Sequence, residues 1–112
     1  MPDSTCHTGV LAFLHKAKAC LTNGNWLLVT KREKNWETLI ELGMTQECLG
    51  QELLQLTPPD YYAGPEPDDM GNGVVWVFIK TIQSRRMYIK LSLREDQKDG
   101  AFLRVLSFHF SN

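Results

Sequence analysis

The chain is poor in features that commit a protein to a chemistry. Its three cysteines, Cys6, Cys20 and Cys48, are odd in number and far apart with no C-x-x-C pair, which argues against a disulfide frame and fits reduced thiols in a cytoplasmic protein. No apolar run approaches the ~18 residues of a membrane span, and the amino terminus lacks the basic-then-apolar order of a signal segment. Charge of one sign is missing too. Twelve Lys and Arg stand against 13 Asp and Glu, so no global field draws the chain to nucleic acid or membrane, and any basic site must be local. His7 and His15 have no carboxylate or cysteine partner at ligand spacing, so no metal and no other cofactor is expected. Ser92 and Ser107 have no Gly-x-Ser-x-Gly elbow, which leaves a serine hydrolase without support.

The residues present fit one domain. The 112 residues, 43% apolar with three Trp, three Tyr and five Phe, supply one modest core and not two. Val10, Leu11, Phe13, Leu14, Ala17 and Leu21 recur at helical spacing, and Asn23-Gly24 stops the run. The short apolar run Trp26–Val29 reads equally as a strand or a packed turn, and the charged cluster Lys31-Arg32-Glu33-Lys34 after it reads as a solvated helix entry or, alternatively, a phosphate contact. Glu33 to Leu42 reads as a second helix with Trp36, Leu39 and Ile40 as its stripe and Gly43 as its left-handed end. A third helix opens at Thr45, buries Leu49, Leu53, Leu54 and Leu56, and stops at Pro58-Pro59. Thr57 to Gly73, rich in proline, glycine and acid, reads as an irregular segment, either a lid over the carboxy-terminal third of the chain or a plain connection.

From Val74 the period changes to two. Val75, Val77 and Ile79 alternate with Trp76, Phe78 and Lys80, and Gln83-Ser84-Arg85 can close a hairpin into a second run. There Met87, Ile89, Leu91 and Leu93 face one way and Tyr88, Lys90 and Ser92 the other. A last strand, Phe102 to Phe110, sets Leu106, Phe108 and Phe110 towards the core and Val105, Ser107 and His109 away from it. The expected fold is α+β, with two to three amino-terminal helices packed on a small antiparallel sheet of three or more strands. Its uncovered face is expected to collect Trp76, Phe78, Lys80, Tyr88, Lys90, Ser92, Ser107 and His109. A phenol, an ammonium and an imidazole on one sheet face can hold a phosphate and move protons beside it. Alternating Tyr and Lys on a polar strand face are also ordinary surface choices.

The series Leu42-Gly43-Met44-Thr45, Leu56-Thr57-Pro58-Pro59-Asp60-Tyr61-Tyr62, Val75-Trp76, Met87-Tyr88-Ile89-Lys90-Leu91 and Leu106-Ser107-Phe108 resembles the MqsR family of bacterial type II toxins over most of the chain. The resemblance implies a RelE-like fold across residues 1–112 and a metal-independent endoribonuclease that cuts messenger RNA. It implies as partners RNA, a cognate antitoxin protein and, as a candidate, the ribosome, and no membrane. The family's catalytic tyrosine falls on Tyr88 with Lys90 two positions on, and its basic residue after the Ser-Phe pair falls on His109, where lysine is usual. The family's remaining lysine and glutamine fall on Ala63 and Val77, so both contributions are absent here. Lys80, Arg85 and Arg86 are candidates to supply the missing charge, and Trp76 to stack an unpaired base. The competing reading is a catalytically degenerate module of the same fold that binds RNA or a partner protein without cleavage.

Overall fold

The computed structural model describes residues 4–68, 73–98 and 100–111, the side chains from Gly9 onward. In chain order the elements are α1 (Ser4–Asn23), β1 (Trp26–Leu28), α2 (Glu33–Leu42), α3 (Gln46–Leu53), a 3-10 turn at Pro58–Asp60, β2 (Tyr61–Pro67), β3 (Gly73–Ile82), β4 (Arg85–Asp96) and β5 (Gly100–Phe110). The fold is α+β, with helices ahead of a five-stranded sheet in the order β1-β5-β4-β3-β2. The sheet is antiparallel except where β1 joins β5 in parallel. No helix among the described residues is long and apolar enough to cross a membrane.

Local chemistry sets the helix ends. Gly43 closes α2 at φ 66°, a conformation that a Cβ disfavours, and the Thr45 hydroxyl accepts from the Cys48 amide at 3.1 Å to start α3. The stripe expected on α2 needs correction. Leu39 is buried, but Trp36 and Ile40 are 50% and 70% exposed, and Asn35 and Thr38 turn inward instead. The apolar spacing misleads here because a buried amide, not a hydrophobe, ties this helix to the sheet.

Trp26–Leu28, which the sequence left open, is a strand, and the segment after Thr57 is not irregular throughout. Its residues 61–67 form β2, the edge strand against β3. Pro65 and Pro67 are accommodated because one side of an edge strand makes no ladder bonds. Gly64 sits at φ 113°, where a Cβ would approach the Val75 carbonyl to 2.7 Å. Residues 69–72 of the expected segment lie outside the described residues.

α1 covers one face of the sheet. Phe13 stacks on Trp76 and Phe78 with ring centroids 5.4 and 6.0 Å away. Trp76 pairs with Leu91, Phe78 with Ile89 and Lys80 with Met87, so all three stand on the helix-covered side, and the expectation that they share the uncovered face is overturned. Val75, Trp76, Val77 and Phe78 are all buried, so alternation along β3 carries no phase. The two aromatics take the helix side because they bury more area there.

The last strand also departs from its expected phase. Leu91 pairs with Val105 and Lys90 with Ser107, which leaves Leu106 as the extra residue of a bulge. Leu103 and Val105 before the bulge and Phe108 and Phe110 after it therefore serve one core face. Leu106, expected in the core, turns to the other side, where it lines a cleft with Lys90 and Val75.

Candidate functional site

The face away from α1 carries the chemistry, and pairing arranges it in rows. One row runs Ala63 on β2, Val77 on β3, Lys90 on β4 and Ser107 on β5; the next runs Ile79, Tyr88 and His109. The β4–β5 ladder thus brings His109 from the last strand to the two residues of β4 expected to act with it. Tyr88 and His109 stack with ring centroids 5.0 Å apart and planes 10° from parallel. Both are half-buried, as is Lys90.

His109 Nδ1 lies 3.2 Å from the Phe110 carbonyl oxygen. A carbonyl only accepts, so this contact is a hydrogen bond when the proton sits on Nδ1, and Nε2 is then left with its lone pair as a base. His109 also borders two clefts against α2. One of ≈ 240 Å³ is lined by Lys34, Glu37, Thr38, Glu41 and Phe110, and the other of ≈ 400 Å³ by Arg32, Glu33, Lys34, Asn35 and Ser107.

Asn35 places α2 against this face. β1 ends at Leu28, and beyond it the edge of β5 has no strand partner among the described residues. The Asn35 side chain takes over. Its Nδ2 donates to the Leu106 carbonyl at 3.1 Å and the Val29 carbonyl at 2.8 Å, and its Oδ1 accepts from the Phe108 amide at 2.9 Å. One amide therefore continues the ladder that β1 abandons. Just before it, Arg32 Nη1 donates to the Ser107 hydroxyl at 2.9 Å, opposite Lys90.

The other expected site residues divide. Arg86 pairs with Thr81 and shares the phase of Tyr88 and Lys90, so it lies on the chemical face beside Tyr88. Arg85 has the opposite phase: its guanidinium sits 3.9 Å above the Phe110 ring and 3.4 Å from Glu41. Lys80 and Trp76 belong to the helix-covered side, where Trp76 is only 6% exposed, and Trp76 has no open ring face on which to stack a base. The exclusion follows from the register of β3.

Two contributors, Asn35 and Asp68, went unmarked in the sequence, and Arg32 stood out only as one member of the charged cluster Lys31 to Lys34. Asp68 Oδ2 accepts from the Ser92 hydroxyl and, at 2.6 Å, from Arg104, which pins the end of β2 across β3 to β4 and β5. Arg104 Nε is buried with no hydrogen-bond partner among the described residues. Beside this cluster, Arg32, Glu66, Pro67, Asp68, Val75, Lys90 and Leu106 enclose a cleft of ≈ 300 Å³. No short spacing betrays these contacts: apart from the bond between Asn35 and Val29, they join residues 24 to 75 apart in the chain.

Among the described residues, no group of three or more His, Cys, Asp or Glu is placed to hold a metal ion; Cys6 and His7 lie outside the described side chains. No family model, curated protein or solved structure matches this chain.

Proposed function

We propose that this protein is a cytoplasmic, metal-independent endoribonuclease of the MqsR kind, the toxin of a toxin–antitoxin pair, cutting messenger RNA through the RNA's own 2′-hydroxyl. The observation that carries the reading is the parallel stack of Tyr88 and His109, 5.0 Å apart on the face that also bears Lys90. In the proposed reaction His109 Nε2 takes the 2′-hydroxyl proton as O2′ attacks phosphorus. The bond to O5′ breaks, and the Tyr88 hydroxyl gives O5′ a proton. Lys90 meets the charge that builds on the phosphate oxygens. The products are a 2′,3′-cyclic phosphate and a 5′-hydroxyl.

The test is purified protein in chelator with labelled RNA that samples every short sequence. Cleavage to these ends is expected, with Tyr88→Phe, Lys90→Ala and His109→Ala each slower on the order of a hundredfold to ten-thousandfold. Equal cutting by parent and all three variants discards the mechanism. RNA binding without cutting favours the degenerate module, a reading prompted by the apolar pair Ala63 and Val77 in the Lys90 row.

A further inference from the structure

We propose that Arg32 is the second phosphate-binding cation of this face and grips, together with Lys90, one backbone phosphate of bound single-stranded RNA; the proposal rests on the nuclease reading above. Arg32 comes from outside the sheet, at the residue before α2, and is bonded to it through Ser107. Ser107 faces Lys90 across β4 and β5, so the guanidinium ends the same row in which Lys90 stands. Arg32 also lines both the cleft that holds Lys90 and the one that holds His109, which puts it between the ammonium and the imidazole.

The charge pattern points the same way. Among the described residues the ion pairs are Lys16–Glu95, Arg85–Glu41 and Arg104–Asp68; Arg32 and Lys90 belong to none of them. Asp68 in the shared cleft is committed to Arg104 and Ser92, and Glu66 at its rim is exposed. With neither cation held in an ion pair, both are available to an anion that enters the cleft they line. A guanidinium has five N–H donors, and Ser107 occupies one. The remaining fork fits two phosphate oxygens, while Lys90 supplies a point charge. The serine hydroxyl acts as a hinge pin that keeps the exposed Arg32 side chain over the sheet.

The alternative is that the Arg32–Ser107 bond only tethers α2. Arg32→Gln and Ser107→Ala together separate the two: the first removes the charge along with the bond, and the second removes the bond alone and is expected to keep the parent's salt slope. Binding is measured with a 2′-O-methyl single-stranded RNA that cannot be cut, over a series of salt concentrations, with urea unfolding alongside. Arg32→Gln is expected to lower affinity on the order of tenfold and to flatten the slope of log K against log salt by about 0.7, one lost phosphate contact on a single strand. Its unfolding midpoint is expected to match that of Ser107→Ala, and Arg32→Lys to restore the slope. An unchanged slope in Arg32→Gln, or a lowered midpoint as the sole effect, overturns the proposal. If the parent binds this RNA but does not cut natural RNA, the nuclease reading falls and the slope still decides the role of Arg32. If the parent does not bind at all, both fall.

Discussion

The imidazole of His109 and the phenol ring of Tyr88 lie face to face, 5.0 Å between centroids and 10° from parallel, across neighbouring strands. The stack fixes the orientation of both rings and leaves the hydroxyl and Nε2 as their free polar ends. Removing the hydroxyl and removing the ring therefore have different consequences. Tyr88→Phe keeps the stack and loses only the proton donor, so the expected outcome is an unchanged unfolding midpoint with RNA cleavage slower by on the order of a hundredfold or more. Tyr88→Ala loses both, with an added destabilisation of about 1 kcal/mol from the lost ring pair. Thermal unfolding beside single-turnover cleavage distinguishes them; a Tyr88→Phe protein that cuts at the parent rate removes the hydroxyl from the mechanism.

Asn35 is expected to be among the residues least tolerant of replacement. It is fully buried, and its amide serves the carbonyls of Val29 and Leu106 and the amide of Phe108. Asn35→Leu leaves three backbone groups without this partner, two of them buried and one partly buried, a loss on the order of 3 kcal/mol in urea unfolding. Asn35→Asp keeps the acceptor for Phe108 but turns a carboxylate oxygen towards two carbonyls. Burial raises the folded-state pKa of that introduced acid above its unfolded value. The variant is thus least impaired at acid pH and loses stability as pH rises through the folded pKa. A flat dependence on pH relative to the parent rejects this account of the site.

Much of the fold was legible in the sequence, and the misreadings have physical causes. β4 reads cleanly because Met87, Ile89, Leu91 and Leu93 alternate with Tyr88, Lys90 and Ser92, one face fully covered and the other open at Tyr88 and Lys90 but closed over Ser92, which was expected in the open and is buried against Asp68. β3 does not, because apolar residues occupy both sides, one packed by α1 and the other by neighbours on the chemical face; a strand without contrast has no readable phase. In β5 the bulge at Leu106 switches the phase halfway, so no single alternation describes the strand. The placement of Tyr88, Lys90 and His109 on one face was legible because all three lie where alternation and pairing agree. Asn35 and Asp68 were not, and Arg32 showed only as part of the charged cluster Lys31 to Lys34, since each acts through a partner remote in the chain, and polar residues in loops and helix starts look alike until the fold brings them together.

The two described thiols are expected to behave oppositely. Cys48 is exposed at the start of α3, where hydrogen bonding to the Thr45 side chain and then its backbone holds the thiol below its ordinary pKa, against the opposing charges of Glu47 and Glu52. Burial, with Glu95 adding to it, pushes Cys20 up. Iodoacetamide labelling of the folded protein, with each cysteine read separately by peptide mass, should therefore modify Cys48 at lower pH than an ordinary thiol and spare Cys20. The folded Cys48 gives up its proton more readily than the unfolded one, so its labelling profile moves to higher pH in urea and, in the folded state, on Thr45→Ala. A Cys48 profile that coincides in folded and unfolded protein contradicts the assignment.

Ala63 stands at the β2 end of the row that continues through Val77 and Lys90 to Ser107 and so to Arg32. Under the proposed function the RNA backbone crosses this row, with the cations at Lys90 and Arg32 and an uncharged stretch at the β2 side. A lysine introduced at residue 63 tests how far that path extends. The position is on an edge strand and only half-buried, so Ala63→Lys can keep its ammonium in water with its stem along Val77. If a phosphate passes over β2, the variant binds the uncuttable RNA more tightly, and its log K against log salt steepens by about 0.7. A slope equal to the parent's confines the backbone to the side of the sheet between β4 and α2. The charge that the MqsR resemblance expects at residue 63 would then have no phosphate to meet, and Arg32, entering from the opposite edge, would be the cation that sets the course of the strand.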